Sequence, residues 1–230
     1  MTTRPYHLLP ALLMLATSTL CAQAAPAVLV YHFEHAGLPV PEFTLTVKED
    51  GTGTYAATYT APPLDSRYAS PSAVVAPPTN TTRPITLTPA TTARLFERVR
   101  STNHFQGGCE SKQKNIANSG AKSISYTGSD GNATCTFNYT ENKSVSSVSD
   151  TFQAIAETLD EGRSIDLKHR YDRLGLDREL ANLADAVHDG RAVEVATIAP
   201  ILQSLLDDSQ VMERVRKRAA GLLEASANAH

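Results

Sequence analysis

Few side chains in this sequence have the types and spacing that chemistry requires. The densest set of potential metal ligands is His32, Glu34 and His35. On an extended strand, His32 and Glu34 share one face and His35 points to the other. A zinc site needs three or four convergent ligands, and a single strand offers two. We therefore interpret the segment as a solvated or edge-strand cluster, and we predict neither a metal nor a cofactor.

The pair Ser119 and Lys122 has the Ser-x-x-Lys spacing of some serine hydrolases. Those enzymes place the pair at the start of a helix, so that the lysine folds over the serine, and a Lys-Thr-Gly strand completes the site. Here the pair precedes a predicted strand, and the sequence contains no Lys-Thr-Gly. The same spacing recurs by chance at Ser111 and Lys114. We therefore assign no catalytic residue to this motif.

Asp166, His169 and Asp172 are titratable residues on one predicted helix. Such a set could serve acid–base catalysis if its members converged. Their spacing is more typical of a solvated helix face, which is our interpretation.

Two long loops offer the remaining place for a site. A Pro-rich loop covers residues 61–84, and a polar, Gly-containing loop covers residues 103–122. Loops on a rigid sheet often carry functional residues, so a hydrolase that uses His104, Glu110 and Lys112 between the loops is one alternative. A secreted protease inhibitor that presents the Pro-rich loop to a protease is another.

The N-terminus has the pattern of a cleaved secretory signal over residues 1–24. Arg4 precedes a short apolar run, and Ala-Gln-Ala at 22–24 provides a small-x-small cleavage site. The run is short for a transmembrane span, so we predict an exported protein, periplasmic or secreted, with no membrane span after cleavage. Lipidation of Cys21 stays open as an alternative, although Leu20 stands where a small residue is usual.

Cleavage of the signal would leave two cysteines, Cys109 and Cys135. Two cysteines in an exported chain most simply form one disulfide. The closed loop of roughly 25 residues would contribute about 3 kcal/mol in the chain-entropy model. Two free thiols are the alternative.

The charge balance argues against one class of partner. The chain has 21 Lys and Arg against 24 Asp and Glu, a formal net charge of −3. Proteins that bind nucleic acids present basic surfaces. We therefore predict no nucleic-acid partner.

Alternating apolar and polar residues predict an N-terminal strand and two hairpins. The strand covers residues 27–35, the first hairpin pairs 42–48 with 54–60, and the second spans 120–139 around a Gly-Ser-Asp-Gly-Asn turn. The apolar face of the last strand is predicted to hold alternate residues: Ala133, Cys135, Phe137 and Tyr139.

Helical periodicity predicts a helix after each hairpin. Thr88 is a good N-cap and Pro89 suits the first helical position of the first helix. The second helix follows residues 142–144 and should end at Gly162. Its apolar stripe is formed by residues that recur every three or four positions: Val148, Phe152, Ile155 and Leu159.

These patterns together predict an α+β domain over residues 25–162. Helices should cover one face of an antiparallel sheet built from the N-terminal strand and the two hairpins. Residues 163–230 should form a small all-α helical tail of short antiparallel helices. Pro200 must kink one tail helix or mark its start, and residues 207–209 should open the last one.

The end of the chain resembles the second half of a HEAT repeat, which places an acidic start before a Val-Arg-x-x-Ala core and a closing apolar pair. The matching residues are Asp208, Val215, Arg216, Ala219, Leu222 and Leu223. The resemblance covers residues 176–225, little more than one repeat, whereas a solenoid needs about three. It implies packing of helix pairs, and the tail is our candidate contact surface for an envelope protein partner.

The first domain resembles exported bacterial domains of unknown function that combine an Asp-Gly-x-x-x-Tyr hairpin with a helix ending near Phe. The matching segments are 50–55, 95–96 and 104–105. That family has no activity to transfer, so it implies only the order hairpin, helix, hairpin, helix. We therefore expect an exported cell-envelope binding or structural module, without a catalytic motif and with an unknown ligand.

Overall fold

The computed structural model describes residues 25–60, 78–105 and 108–227. The predicted signal peptide lies outside the described residues, and so do positions 61–77 of the Pro-rich loop. The described segments form these strands and helices in chain order: β1 (Val28–Glu34), β2 (Glu42–Lys48), β3 (Thr52–Tyr59), β4 (Thr79–Thr86), α1 (Pro89–Ser101), β5 (Ala121–Gly128), β6 (Gly131–Phe137), α2 (Lys143–Tyr171), α3 (Leu176–His188), α4 (Ala199–Asp207) and α5 (Glu213–Ala227).

The strands form one antiparallel sheet in the order β4-β3-β2-β1-β5-β6. The N-terminal strand β1 lies inside this sheet, where Tyr31 is opposite Leu45 of β2 and Ile124 of β5. All three side chains are fully buried. The predicted strand and both predicted hairpins, β2–β3 and β5–β6, are therefore confirmed.

The predicted C-terminal boundary of the Pro-rich loop, at residue 84, is wrong, because residues 79–84 belong to strand β4. Among the strands that the structure describes, β4 pairs with β3 alone and forms one edge of the sheet, with Pro84 opposite Thr54. Proline has no N–H to donate, so sheets accept it at an edge where one side of the strand is unpaired. The short edge strand suggested for residues 72–76 lies outside the described residues.

The two predicted helices pack on the same face of the sheet. The ring of Phe152 in α2 stacks on Tyr31 at 5.2 Å between centroids, and Phe96 in α1 meets Tyr126 of β5 edge-on at 6.2 Å. Thr88 caps α1 as predicted, since its hydroxyl accepts a hydrogen bond from the Thr91 amide. The arrangement confirms an α+β fold followed by a helical C-terminal part.

Helix α2 does not end at Gly162, so that prediction is wrong. The helix continues to Tyr171 and enters the predicted tail. A Cβ at Gly162 would lie 2.4 Å from Cγ2 of Ile198, so the glycine allows the tail to approach the helix closely instead of terminating it. The buried core runs without a break from the sheet to the tail.

The tail consists of α3, α4 and α5, together with short 3-10 turns. Pro200 marks the start of α4. The last helix begins at Glu213, so the predicted start at residues 207–209 is wrong. Asp208 instead contacts α2. Its carboxylate accepts a hydrogen bond from the Gln210 amide and lies 2.9 Å from His169 of α2.

Within the ranges described above, no helix is both long enough and apolar enough to cross a membrane.

The two cysteines that the structure describes, Cys109 and Cys135, lie at disulfide distance. The Cα atoms of Cys109 and Cys135 are 5.7 Å apart, and Cys135 is buried in β6. The predicted apolar face of this strand extends only to Phe137, where β6 ends. Tyr139, which was expected inside, is 45% exposed.

The cysteine geometry predicts that the unreduced protein without residues 1–24, and therefore without Cys21, has no titratable thiol after denaturation. Because a bridge restricts the unfolded chain, Cys135→Ser should lower the free energy of unfolding by about 3 kcal/mol. Thiol titration in denaturant and urea unfolding measure the two effects. Cys109→Ser should lower it equally, and the double variant should lose no more than either single one. Two titratable thiols in the unreduced wild type would contradict the bridge.

Candidate functional site

The histidines of β1 and the turn after it have structural partners. Nδ1 of His32 is 3.0 Å from the hydroxyl of Thr44, and Nε2 of His35 is 3.3 Å from the carbonyl of Asn118. No group of three His, Cys, Asp or Glu residues in the described part of the chain could hold a metal ion. The geometry gives this segment a role in joining strands and loops.

The structure does bring Ser119 and Lys122 together, but the oxygen atoms around Lys122 form a site for its own ammonium group. Nζ of Lys122 lies 3.0 Å from the hydroxyl and from the carbonyl of Ser119, 3.2 Å from the Gly120 carbonyl and 3.0 Å from the Asn138 carbonyl. Burial lowers the pKa of Lys122, but every one of these partners is an acceptor, so the site suits an ammonium group. Lys122 clamps the loop to the end of β6.

The three residues proposed for a hydrolase between the loops do not form one site. The His104 ring packs on Tyr126, 4.7 Å between centroids, beside the β5–β6 turn. Glu110 accepts a hydrogen bond from the Asn138 amide, just past the other end of β6. Because β6 lies between them, His104 and Glu110 are about 20 Å apart. Lys112 is exposed.

The titratable set on α2 also divides among separate partners. Asp166 pairs with Arg170 at 2.6 Å, and His169 with Asp208 at 2.9 Å. The Asp172 carboxylate accepts a hydrogen bond from the Gly175 amide. These contacts stabilise the end of the helix and its junction with the tail.

A cleft of about 500 Å³ opens between one end of the sheet, the β1–β2 connection, α2 and α3. One wall is apolar and includes Leu38, Pro39 and Val40 of the connection, together with Phe33 and Phe43 of the sheet. The opposite wall is helical and acidic. Functional sites commonly combine an apolar wall with a few placed polar groups.

One acidic residue of the cleft, Asp160, is held in place by the sheet. The hydroxyls of Tyr55 and Tyr59 in β3 donate to its Oδ1 at 2.7 and 2.6 Å. Burial raises the pKa of Asp160, whereas the two hydrogen bonds lower it. Burial and the charge of Asp160 also raise the pKa of both tyrosines, so they remain donors.

The next residue, Glu161, lacks such donors. Its Oε2 atom is buried and accepts no hydrogen bond from the part of the chain that the structure describes. Burial, and then the charges of Glu179 and Glu157, raise the pKa of Glu161 to about 7. This carboxyl therefore changes charge near neutral pH and has an unused acceptor.

The other charged groups of the cleft have partners. Glu179 accepts a hydrogen bond from the Ser164 hydroxyl and lies 3.3 Å from Nζ of Lys168. The guanidinium of Arg163 lies over the Tyr59 ring, 3.9 Å from its centroid. Glu161 is thus distinguished from its neighbours by its unpaired oxygen.

A larger cleft of about 580 Å³ lies at the other end of the sheet, beside α1. Two of the charged side chains that line it, Glu49 and Arg100, pair with each other, and Asp50 accepts hydrogen bonds from Thr52. Arg100 contacts Glu49 at 2.7 Å and Asp130 at 2.9 Å. We therefore place the candidate site at the acidic cleft.

No family model matches the sequence, and no curated protein matches it either. The functional assignment therefore depends on the geometry of the cleft.

Sequence analysis did not identify Asp160 or Glu161. Both follow directly after Leu159, the last residue of the recognised apolar stripe. With α2 expected to end at Gly162, both acids fall in the last turn of the predicted helix, and no role was predicted for them. The available signal was their position next to that stripe, but the tyrosine partners of Asp160 lie about 100 residues earlier in the chain.

The acceptor-lined site of Lys122 predicts that Lys122→Met destabilises the protein. The change leaves the buried Gly120 carbonyl and two partly buried carbonyls without this donor, and the loss at a buried acceptor costs about 1–3 kcal/mol. We expect urea unfolding to show a decrease of about 2 kcal/mol. The matched control is Lys112→Met, an exposed lysine of the same loop, which should have little effect. Equal stability of the two variants would show that Lys122 is not a clamp.

The raised pKa of Glu161 predicts a pH-dependent effect of Glu161→Gln. The folded carboxyl titrates at about 7 and the unfolded one near 4.5, so its contribution to stability is lost as the pH rises through 7. Glutamine cannot ionise. At about pH 8 the variant should therefore unfold with a free energy roughly 1 kcal/mol higher than wild type, after the full shift is reduced for partial exposure.

This gain should shrink towards zero near about pH 4, where the wild-type carboxyl is protonated in both states. Chemical denaturation at both pH values measures it. Glu213→Gln, at an exposed glutamate paired with Lys217, is the control and should show no such gain. A gain at low pH only would refute the raised pKa.

Proposed function

We propose that the protein is an exported binding module of the cell envelope, and that it binds its ligand in the acidic cleft. The observation that carries this proposal is Glu161, which lines a cleft with an apolar wall and makes no ion pair or hydrogen bond to the part of the chain that the structure describes. A carboxylate that lines a cleft without a paired cation would favour a ligand with a donor or a positive charge. The apolar wall would add area for contact.

Export is part of the proposal and is supported by the sequence of the first 24 residues and by the cysteine pair at disulfide distance. Disulfides persist in oxidising compartments and are rare elsewhere.

A contact with an envelope protein through the helical tail is also part of the proposal. Tyr171 and Leu174, where α2 meets the tail, are 81% and 82% exposed, which would suit such a contact.

A hydrolase is the second candidate, and one observation favours it. The Ser164 hydroxyl lines the cleft and donates to the Glu179 carboxylate. Lys168 forms an ion pair with the same carboxylate. Such a pair is typical of a structural contact, so we place the hydrolase second. Turnover of a bound compound that is lost in Ser164→Ala would reverse the order. The protease-inhibitor alternative depends mainly on residues 61–77, outside the described residues.

Binding at the cleft predicts localised NMR shifts when the mature protein is titrated with a chemically diverse fragment library. Compounds that bind should perturb amides around Leu38, Tyr59 and Glu161. Leu38→Glu should weaken those shifts, because it places a charge in the apolar wall. Leu174→Glu, at an exposed leucine outside the cleft, is the matched control and should leave them unchanged. A library without any ligand, or with ligands only elsewhere, would refute the proposal.

A further inference from the structure

We propose that the cleft recognises an organic cation on an aliphatic stem, such as the side chain of lysine or arginine in a peptide, with Glu161 as the counter-ion. This inference rests on the proposed function and specifies the ligand of the same site. It follows from three features: the charges that surround Glu161, the shape of the apolar wall and the absence of a metal-ligating set among the described residues.

The charges that act on Glu161 are predominantly negative. Glu179, Glu157 and Asp160 all raise its pKa, and Lys168 is the cation that lowers it. An anionic ligand would meet this negative field at close range, whereas a cation would be attracted by it. The electrostatic complement of Glu161 is therefore positive.

The cations near the cleft are engaged with other groups. Lys168 lies 3.3 Å from Glu179, and Arg191 lies 3.8 Å from Glu157. Arg83 donates to the Leu159 carbonyl and lies 5.6 Å from the Tyr55 ring centroid.

Arg163 stacks on Tyr59, an arrangement that stabilises a guanidinium without a carboxylate. The donor for Glu161 can therefore come from outside the chain.

The apolar wall indicates what carries the cation. Leu38, Pro39 and Val40 line the cleft together with Phe33 and Phe43. Long basic side chains bury their methylene stems on apolar surface and keep the charged end at a polar group. A small inorganic cation would not use this wall. It would also require several ligands, and the described residues contain no set of three His, Cys, Asp or Glu that could supply them.

Recognition of a cation by Glu161 makes binding depend on pH. The ligand binds the ionised carboxylate, and the pKa of Glu161 is about 7. The groups that share the cleft with it are Glu157, Asp160, Glu179, Arg163, Lys168 and Tyr59. The ionised fraction rises about tenfold between pH 6 and pH 8, so affinity for a permanent cation should rise by about the same factor.

The experiment compares three probes by NMR titration of the mature protein: Nα-acetyl-lysine amide, the uncharged Nα-acetyl-norleucine amide and the anionic Nα-acetyl-glutamate amide. The lysine probe should bind at the cleft roughly tenfold more tightly than the norleucine probe, since a charge-assisted hydrogen bond is added. The glutamate probe should show no saturable binding. Affinity for the lysine probe should rise about tenfold from pH 6 to pH 8.

Two variants assign the effect to Glu161. In Glu161→Gln the lysine probe should bind no better than the norleucine probe, whose own affinity stays the same. Glu213→Gln should preserve the wild-type preference. Thermal unfolding of both variants checks that they are folded.

The possible failures separate the two proposals. Equal binding of lysine and norleucine probes at the cleft, or preference for the glutamate probe, would overturn the cation assignment and leave the binding function in place. The same holds if fragments of other chemistry bind there and the lysine probe does not. If neither the probes nor the fragment library perturb the cleft, both proposals fail.

Discussion

The packing of α2 against the sheet is the interaction on which the rest of the structure depends. Phe152 stacks on Tyr31, and the hydroxyls of Tyr31 and Ser149 lie 3.0 Å apart. Two turns further along α2, Asp160 accepts hydrogen bonds from Tyr55 and Tyr59. The helix is thus held by aromatic packing and by polar contacts from the same face of the sheet. Because its orientation is fixed, its acidic side forms one wall of the cleft, and its extension beyond Gly162 supports the tail.

Patterns that depend on neighbouring residues predicted most of the elements. Period-two alternation identified both hairpins, and three- and four-residue steps identified α2 from Val148 to Leu159, because burial on one face imposes those periods. The errors occurred where a distant residue decides the outcome. Gly162 was interpreted as a helix end, whereas Ile198 packs where its side chain would be. The partners of Asp160 are likewise set by the fold, so sequence spacing could not identify the site.

Ser119 and Lys122 show why spacing alone is a weak guide to chemistry. Their side chains do meet, as the Ser-x-x-Lys pattern requires. The decisive neighbour is Asn138, whose carbonyl accepts from both Nζ of Lys122 and the Ser119 hydroxyl, each at 3.0 Å. A catalytic base needs a free lone pair, whereas a nitrogen surrounded by oxygen acceptors is most stable as a charged donor. The same two residues therefore form a structural clamp, and the sequence pattern cannot distinguish the two roles.

Asp160 and Glu161 are adjacent on one helix, yet their carboxylates have different hydrogen-bond partners. Two tyrosines bind Asp160, which shows that the sheet can supply donors to a carboxylate at this depth. Glu161 has a buried oxygen without such a donor, beside other acids that raise its pKa. An uncompensated buried carboxylate lowers stability, and strain of this kind tends to persist where function requires it. A purely structural module would gain stability from a neutral side chain at this position. Glu161 is therefore the residue at which the proposed ligand would compensate for a cost that the fold leaves in place.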